Sequence, residues 1–506
     1  MRALIIASLF CGLTTFGEDI YIAQTAQGGN TGVDAANAHS AAWFNSAANW
    51  GAGTDKISPG DTAHLVGTIT NQLEIQAGGT AGSPTTILFE SGAKIIMPAL
   101  PITGAIRALR FSHLIIDGGT DGRIEGTDNG TELGNMIESR GVQIESSGTP
   151  LTNIIVRNLT ITNVLVRTQD HTNTAGMSAG MYLAGSLHAF QVYNCAVSQA
   201  ATCIQVIYAN ELASNDLQIY SNTLTHCNWG VDVGQADVNT AINNVSIHHN
   251  RIINYGNWDQ LPAISHHHNG IFVRATAAGT SISNAVIYAN TIGPYIGAAA
   301  HNTAMIYLSA SYTNIFAVII YNNTLYTLTN APPGNGFVNC TRVVGGGIFN
   351  NTLDANGQGG LGIVANQGTN LVVQNNIISG TQYPIYALDQ TTQTLASVDF
   401  ECYGAEPTIY WLTGAITYAN WRVLGYDAYS FTNSPSYVDA GAGNFHLAAS
   451  SILRGAGTNL NALFTEDLDG VVRGTAWDIG AYEYAADTGN ISHFGTVQAT
   501  VARTRP

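Results

Sequence analysis

The apolar positions of this chain return in a fixed order. A short alternating run, such as Val245-Ser246-Ile247, leads to Asn250 at a turn and a second run, Ile252-Ile253. After a loop of variable length a Gly opens a third run, Gly270-Ile271-Phe272-Val273. The order recurs as QIYSNTL around Asn222, VIYANTI around Asn290, IIYNNTL around Asn323, GIFNNTL around Asn351 and VVQNNII around Asn376, with weaker copies at Asn158 and Asn194. Steps of about 25 to 40 residues fall in the range of solenoid repeats. Alternating β-branched residues predict strands and not helices. One unit cannot bury its own apolar face, so neighbours must stack. The Asn at each turn tolerates left-handed backbone, and stacking would align the amides into a bonded ladder.

The third run of each unit yields a geometric expectation. Met181-Tyr182-Leu183, Ile204-Gln205-Val206, Val231-Asp232-Val233, Ile271-Phe272-Val273, Ile306-Tyr307-Leu308 and Ile385-Tyr386-Ala387 each flank one residue with apolar neighbours. The flanks point inward and the central residue outward. Stacking at about 4.8 Å per coil then predicts an outward row of Tyr182, Gln205, Asp232, Phe272 and Tyr307. Such an aromatic strip with one carboxylate suits sugar rings.

At this point the chain resembles the right-handed parallel β-helix proteins of the pectate-lyase-like superfamily, over roughly residues 60–395. The resemblance implies an all-β, right-handed parallel β-helix of about ten coils and a secreted carbohydrate-active protein. Residues 18–100 are expected to form an N-terminal cap and first strands, with SAAWFNSAANW as a short helix closing the core. LIIDGGTDGRIEG, around Asp117, resembles an early coil of the same families, with Asp117 expected to form a turn. Residues 101–395 are expected to carry the coils and the groove, and 396–485 a C-terminal closing module. The run Asp467-x-Asp469-Gly470…Arg473…Asp478-Ile479-Gly480-Ala481-Tyr482-Glu483 resembles the closing module of exported bacterial β-helix proteins, so its charged residues are expected to be structural. Residues 486–506 are expected to form a flexible tail.

Composition narrows the partners. The formal charge is −16, and Lys56 and Lys94 are the only lysines among 506 residues. That disfavours nucleic acid, acidic membranes and, without calcium or a local arginine patch, polyanionic glycans. Arg2 followed by the apolar run Ala3–Leu13 and small residues near Gly17 predicts a signal peptide over 1–17 and export. No later run is apolar enough to cross a membrane. Of the five cysteines beyond it (Cys195, Cys203, Cys227, Cys340 and Cys402), at least one must stay unpaired; small buried hydrophobes are the expected role, and a bridge among the first three is open.

The expected chemistry gathers around Asp232. Two long loops, 165–179 and 254–269, flank two short ones, 198–202 and 225–229, which predicts a walled groove. One wall offers Arg167, Asp170 and His171; the other offers Asp259 and His266-His267-His268; His301 lies one coil on. His248 and His249 are expected to be structural. The resembled families carry His-His-Asp-Gly where this chain reads His267-His268-Asn269-Gly270. The favoured expectation is glycoside hydrolysis, with Asp232 as one carboxyl partner, Asp259 or Asp170 as the other, and His267 or His268 assisting. Tyr182, Gln205, Phe272, Arg274, Tyr307, His171, Arg167 and His301 would bind substrate. The alternatives are a polysaccharide lyase, with Arg167, Arg274, a His or a Tyr as base, and a non-catalytic glycan-binding solenoid. No cofactor is required; weak Ca²⁺ or Zn²⁺ binding near His266 and His268, with Asp259 or Asp232, is open.

Overall fold

The computed structural model describes residues 17–129, 137–165, 178–208, 216–235, 238–255, 267–296, 302–328, 334–388 and 394–484. Residues 1–16 of the expected signal peptide, Arg167, Asp170, His171, Asp259, His266, His301 and the expected tail at 486–506 lie outside them.

Each repeat unit contributes three strands, and stacking makes three parallel faces. One face is a 14-stranded sheet, with His39–Ser40 at its edge and the other strands in sequence order from Asp19–Ala23 to Leu395–Asp399. The second consists of the short strands after each Asn turn, such as Arg251–Ile253 and Thr324–Tyr326. The third carries the outward row and is built from β1 (Arg140–Glu145), β2 (Ala179–Ala184), β3 (Ala196–Tyr208), β4 (Thr223–Gln235), β5 (His268–Ala275), β6 (Asn302–Ala310), β7 (Val338–Thr341), β8 (Leu361–Asn366), β9 (Tyr383–Leu388) and β10 (Thr408–Leu412). The protein is a right-handed parallel β-helix, the hand that parallel crossovers take.

The two loops expected to be short are absent altogether. β3 and β4 each run 13 residues through the second and third faces without a break, and they pair from Ala196↔Thr223 to Tyr208↔Gln235. The core is a column of inward residues in register, Val142, Met181, Ile204, Val231, Ile271, Ile306, Val338, Ile363 and Ile385, all buried. Apolar area removed from water at about 25 cal/mol per Å² is the main force holding such coils together. Cys195, Cys203, Cys227, Cys340 and Cys402 are all buried and unbridged, so the possible bridge among the first three does not form.

The Asn ladder is present, one residue away from where left-handed backbone was expected. Asn158, Asn194, Ser221, His249, Ala289, Asn322, Asn350 and Asn375 take positive φ, between 48° and 62°. The residue after each occupies the ladder. There the Nδ2 of Asn222, Asn250, Asn290, Asn323 and Asn351 donates to the Oδ1 of the next Asn at 2.9–3.0 Å, ending at Asn376. Asn158 and Asn194 are therefore turn residues; Leu159 and Cys195 hold the ladder place in those coils.

Coil pairing begins earlier than the expected cap boundary, since Asp19–Ala23, Thr62–Leu65 and Thr85–Phe89 already stack in parallel. A four-residue helix, Ala41–Phe44, lies beside them, its N-terminus capped by the Ser40 hydroxyl accepting from Trp43 N at 3.1 Å. At the other end β11 (Gly414–Thr417) folds back antiparallel on β10 and covers the open sheet edge. The final segment docks on the coils through the turn asparagines. Asn350 Nδ2 donates to Asp478 O at 2.8 Å, Asn375 Nδ2 to Thr458 O at 2.8 Å, and Asn322 Oδ1 accepts from buried Arg473 at 3.0 Å.

Candidate functional site

The outward row has the expected register. Tyr182 pairs with Gln205, Gln205 with Asp232, Asp232 with Phe272 and Phe272 with Tyr307. Its exposure differs from expectation. Asp232 was expected on an open groove floor, yet it is 0% exposed. Arg274, two residues past Phe272 on β5, reaches back across β4. Its Nε donates to Asp232 Oδ1 at 2.8 Å and its Nη2 to Oδ2 at 3.1 Å. Gln205 Nε2 adds a third bond to Oδ2 at 3.2 Å. Burial opposes the Arg274 charge, but Asp232 outweighs it and raises the guanidinium above its ordinary range. The pair is thus a fixed, bidentate ion pair.

Gly234 makes that crossing possible. A Cβ there would lie 2.6 Å from Arg274 Cγ and 2.7 Å from its Nε. The Arg274 stem occupies the space a side chain at 234 would fill.

Beside the ion pair stands a cluster of rings. Phe272 and Tyr307 stack at 5.2 Å between centroids, 16° apart. His267 meets Phe272 edge-on at 5.0 Å, and Trp229 lies 5.5 Å from His267 and 5.7 Å from Phe272. Trp229, His267 and Tyr307 are half-buried, so each keeps surface open to a ligand; Phe272 is buried beneath them. Two bonds hold His267 in place. Trp229 Nε1 donates to its carbonyl at 2.7 Å, and its Nδ1 lies 2.7 Å from Asn269 Nδ2. Asn269 Oδ1 accepts from Ala304 N at 3.2 Å, tying the ring to β6. That position favours a tautomer whose Nδ1 accepts and whose Nε2 carries the proton.

The remaining expected residues divide. His268 is 1% exposed and sits at the start of β5, away from solvent. Tyr182 is on the row, but Arg140 lies 3.6 Å over its ring and occupies one face. Arg140 is buried, bonds Gln143 Oε1 at 2.8 Å, and its charge is disfavoured chiefly by burial. Asp170, Asp259, Arg167, His171, His266 and His301 lie outside the described residues, so the expected walls have no described geometry. Among the described residues no three His, Cys, Asp or Glu side chains converge on one point. The sequence reading missed Trp229, Arg140 and Gly234, and gave Asn269 no role beyond its place in the His267–Gly270 run. Trp229 had a signal, because it precedes the strand-opening Gly230 as Asn269 precedes Gly270, and the two pair in register.

His248 and His249 lie on the 14-stranded sheet. There Tyr193, Tyr220, His248, Tyr288 and Tyr321 form one outward ring stack with centroids 4.5–4.9 Å apart.

No protein-family model matches this chain, and no curated protein matches it. Solved structures do. A pectate lyase, Pel9A, aligns over 93% of this chain and 97% of its own, at 12% identity and a TM-score of 0.49. A lacto-N-biosidase from Eubacterium ramulus aligns over 76% of this chain and 64% of its own, at 12% identity and a TM-score of 0.42. An alginate lyase from Paenibacillus aligns over 65% of this chain and 93% of its own, at 12% identity and a TM-score of 0.35. At that identity the likeness concerns the fold alone.

Proposed function

We propose that this protein is an exported glycan-cleaving enzyme whose substrate lies across β4, β5 and β6, with Tyr307 as the proton-transfer group and His267 as a hydrogen-bond donor beside it. The observation that carries this reading is the ring cluster. A half-buried imidazole, oriented by Asn269, sits among Trp229, Phe272 and Tyr307. Aromatic surface binds sugar rings, and an imidazole N–H bonds a glycan oxygen. The reading needs no cofactor.

The same geometry favours β-elimination over hydrolysis. Hydrolysis needs two carboxyl groups with access to the glycosidic bond. Asp232 is buried, and Arg274 and Gln205 engage both its oxygens. Elimination needs one base, here Tyr307, and a cation facing the substrate carboxylate. Arg274 keeps 19% of its side chain exposed and lies 5.8 Å from the Phe272 ring centroid. In this mechanism the Tyr307 oxygen takes the proton next to a uronate carboxylate, Arg274 steadies the charge that develops, His267 Nε2–H bonds a substrate oxygen, and Tyr307 returns its proton to the leaving oxygen. Hydrolysis is the second reading. It is favoured by the excess of 33 acidic over 17 basic residues and would draw its carboxyls from Asp170 and Asp259.

The test is a panel of neutral and uronate-bearing polysaccharides with product analysis. Elimination leaves a product with an ultraviolet-absorbing double bond; hydrolysis releases reducing ends without it. Tyr307→Phe is expected to lower turnover by about a hundredfold or more, the scale for losing a general base, and His267→Ala by a smaller factor. Full activity in both variants would move the site elsewhere. Binding without any cleavage would leave a glycan-binding solenoid.

A further inference from the structure

The outward row continues past Tyr307 through Asn339, Val364, Tyr386 and Tyr410. The first two of these are covered. Asn339 Nδ2 donates to Asn335 O at 3.2 Å, and a Cβ on Gly336 would lie 3.0 Å from Val364 Cγ2. The turn before β7 therefore lies over them. Beyond this cover the row opens again, three strand steps or about 14 Å from Tyr307. Tyr386 and Tyr410 stack at 4.3 Å and 23°, and Tyr383 stands edge-on to Tyr410 at 5.7 Å and 76°. All three are half-buried.

The next rung is unfilled. Tyr410 pairs across the antiparallel turn with Ala415, whose methyl is exposed. In an aromatic column each ring covers the face of the one before, but a methyl leaves the outer face of Tyr410 bare. Exposed Thr408 and Thr417, also paired, flank it with hydroxyls. The side chains of the cluster and its rim, Tyr383, Tyr386, Tyr410, Thr408, Ala415 and Thr417, are themselves all uncharged.

From this geometry we infer that Tyr410, Tyr383 and the vacant rung at Ala415 form an accessory subsite for an uncharged sugar unit of a glycan chain. A bare ring face takes the C–H face of a sugar, the surrounding hydroxyls bond its edges, and the lack of charge selects against a uronate. The inference rests on the glycan reading above for its ligand class, while its place is set independently of His267.

The experiment measures retardation of the full chain in native gels containing xylan, β-glucan or galactan. It compares the unaltered protein with Tyr410→Ala and Ala415→Phe. At least one polymer should retard the unaltered protein. Tyr410→Ala and Ala415→Phe should each weaken retardation by about tenfold or more. Ala415→Phe fills the rung at an exposed strand position that tolerates aromatics, so its melting temperature should hold and the loss cannot be unfolding. The subsite is overturned if no polymer retards the protein or if Ala415→Phe binds like the unaltered chain. Turnover of Tyr307→Phe reports separately on the catalytic reading.

Discussion

Two columns of polar side chains run along this solenoid at the same spacing, and they differ in every other respect. In the turn column each Asn does what its neighbours do, accepting from the coil before and donating to the coil after. In the outward row no two of Gln205, Asp232 and Phe272 play the same part. Repetition lets one residue type satisfy every buried polar group, which is how a solenoid holds a polar column in its core. A site requires the repetition to break, so that a carboxylate, a guanidinium and a set of rings fall on adjacent coils. The turn column breaks only where it ends. Asn376 donates to Glu401 Oε1 at 3.2 Å, while Oε2 has no bonding partner. Burial, with Asp427 nearby, pushes the Glu401 carboxyl well above the usual range.

The largest effect should come from the uniform column. Asn323 accepts two bonds from Asn290 and donates to Ile287 O, Tyr321 O and Asn351 Oδ1. Asn323→Leu leaves these groups unpaired in the core and is expected to cost at least about 3 kcal/mol. A melting curve like that of the unaltered chain would show that the ladder is not what holds the coils in register. The outward row comes next. Asp232→Ala strips the partner from a largely buried Arg274, a loss of about 3 kcal/mol. The pair Asp232→Leu with Arg274→Met removes both charges and should recover most of that stability while leaving activity abolished. A double variant no more stable than the single would show that packing, and not the ion pair, sets the cost.

The uniform column was the more legible in the sequence, for a physical reason. Hydrophobic alternation has a strict period of two, so the strands, the inward core and the register of Tyr182, Gln205, Asp232, Phe272 and Tyr307 follow from neighbouring residues alone. The ladder was legible at Asn222, Asn250, Asn290, Asn323, Asn351 and Asn376, but the left-handed backbone falls one residue before each. In IIYNNTL, GIFNNTL and VVQNNII both asparagines fit a turn. Only QIYSNTL and VIYANTI, with Ser221 and Ala289 first, show that the second one is the ladder residue and the first takes positive φ. The doubled Asn also marks the three coils on which the C-terminal segment docks. The burial of Asp232 was not legible. It depends on a side chain 42 residues away, on the adjacent strand, lying across a glycine of Asp232's own strand, a contact that no local pattern encodes.

That glycine gives a smaller and sharper test. Gly234→Ala puts a methyl where the Arg274 stem lies, and the flexible stem can move aside. The stability loss should be about 1 kcal/mol, at the low end for overpacking. Turnover should fall much further than stability, because the guanidinium would keep Asp232 but shift from its place beside Phe272. Equal activity in Gly234→Ala would show that the position of Arg274 does not matter to the reaction.

The smallest expected effect lies on a third column, the ring stack of the 14-stranded sheet, where one rung is a histidine. Burial, reinforced by His249, lowers the His248 imidazole to about 4 from an ordinary value of 6.5. The folded state therefore binds this proton less readily than the unfolded chain. Its contribution to stability is present in full above pH 6.5, is lost as pH falls towards 4, and changes little below that. Glu401 runs the other way, since its raised folded value costs stability as pH rises above the unfolded carboxyl range. His248 is half-buried, so solvent screening limits its share to on the order of 1 kcal/mol. His248→Phe keeps a ring between Tyr220 and Tyr288 and removes the titration. Its melting temperature should match that of the unaltered chain near pH 7 and exceed it near pH 4.5. Parallel melting profiles across that range would mean that the stack accepts a charged ring at no cost, and that a column of rings in this fold is indifferent to which of them titrates.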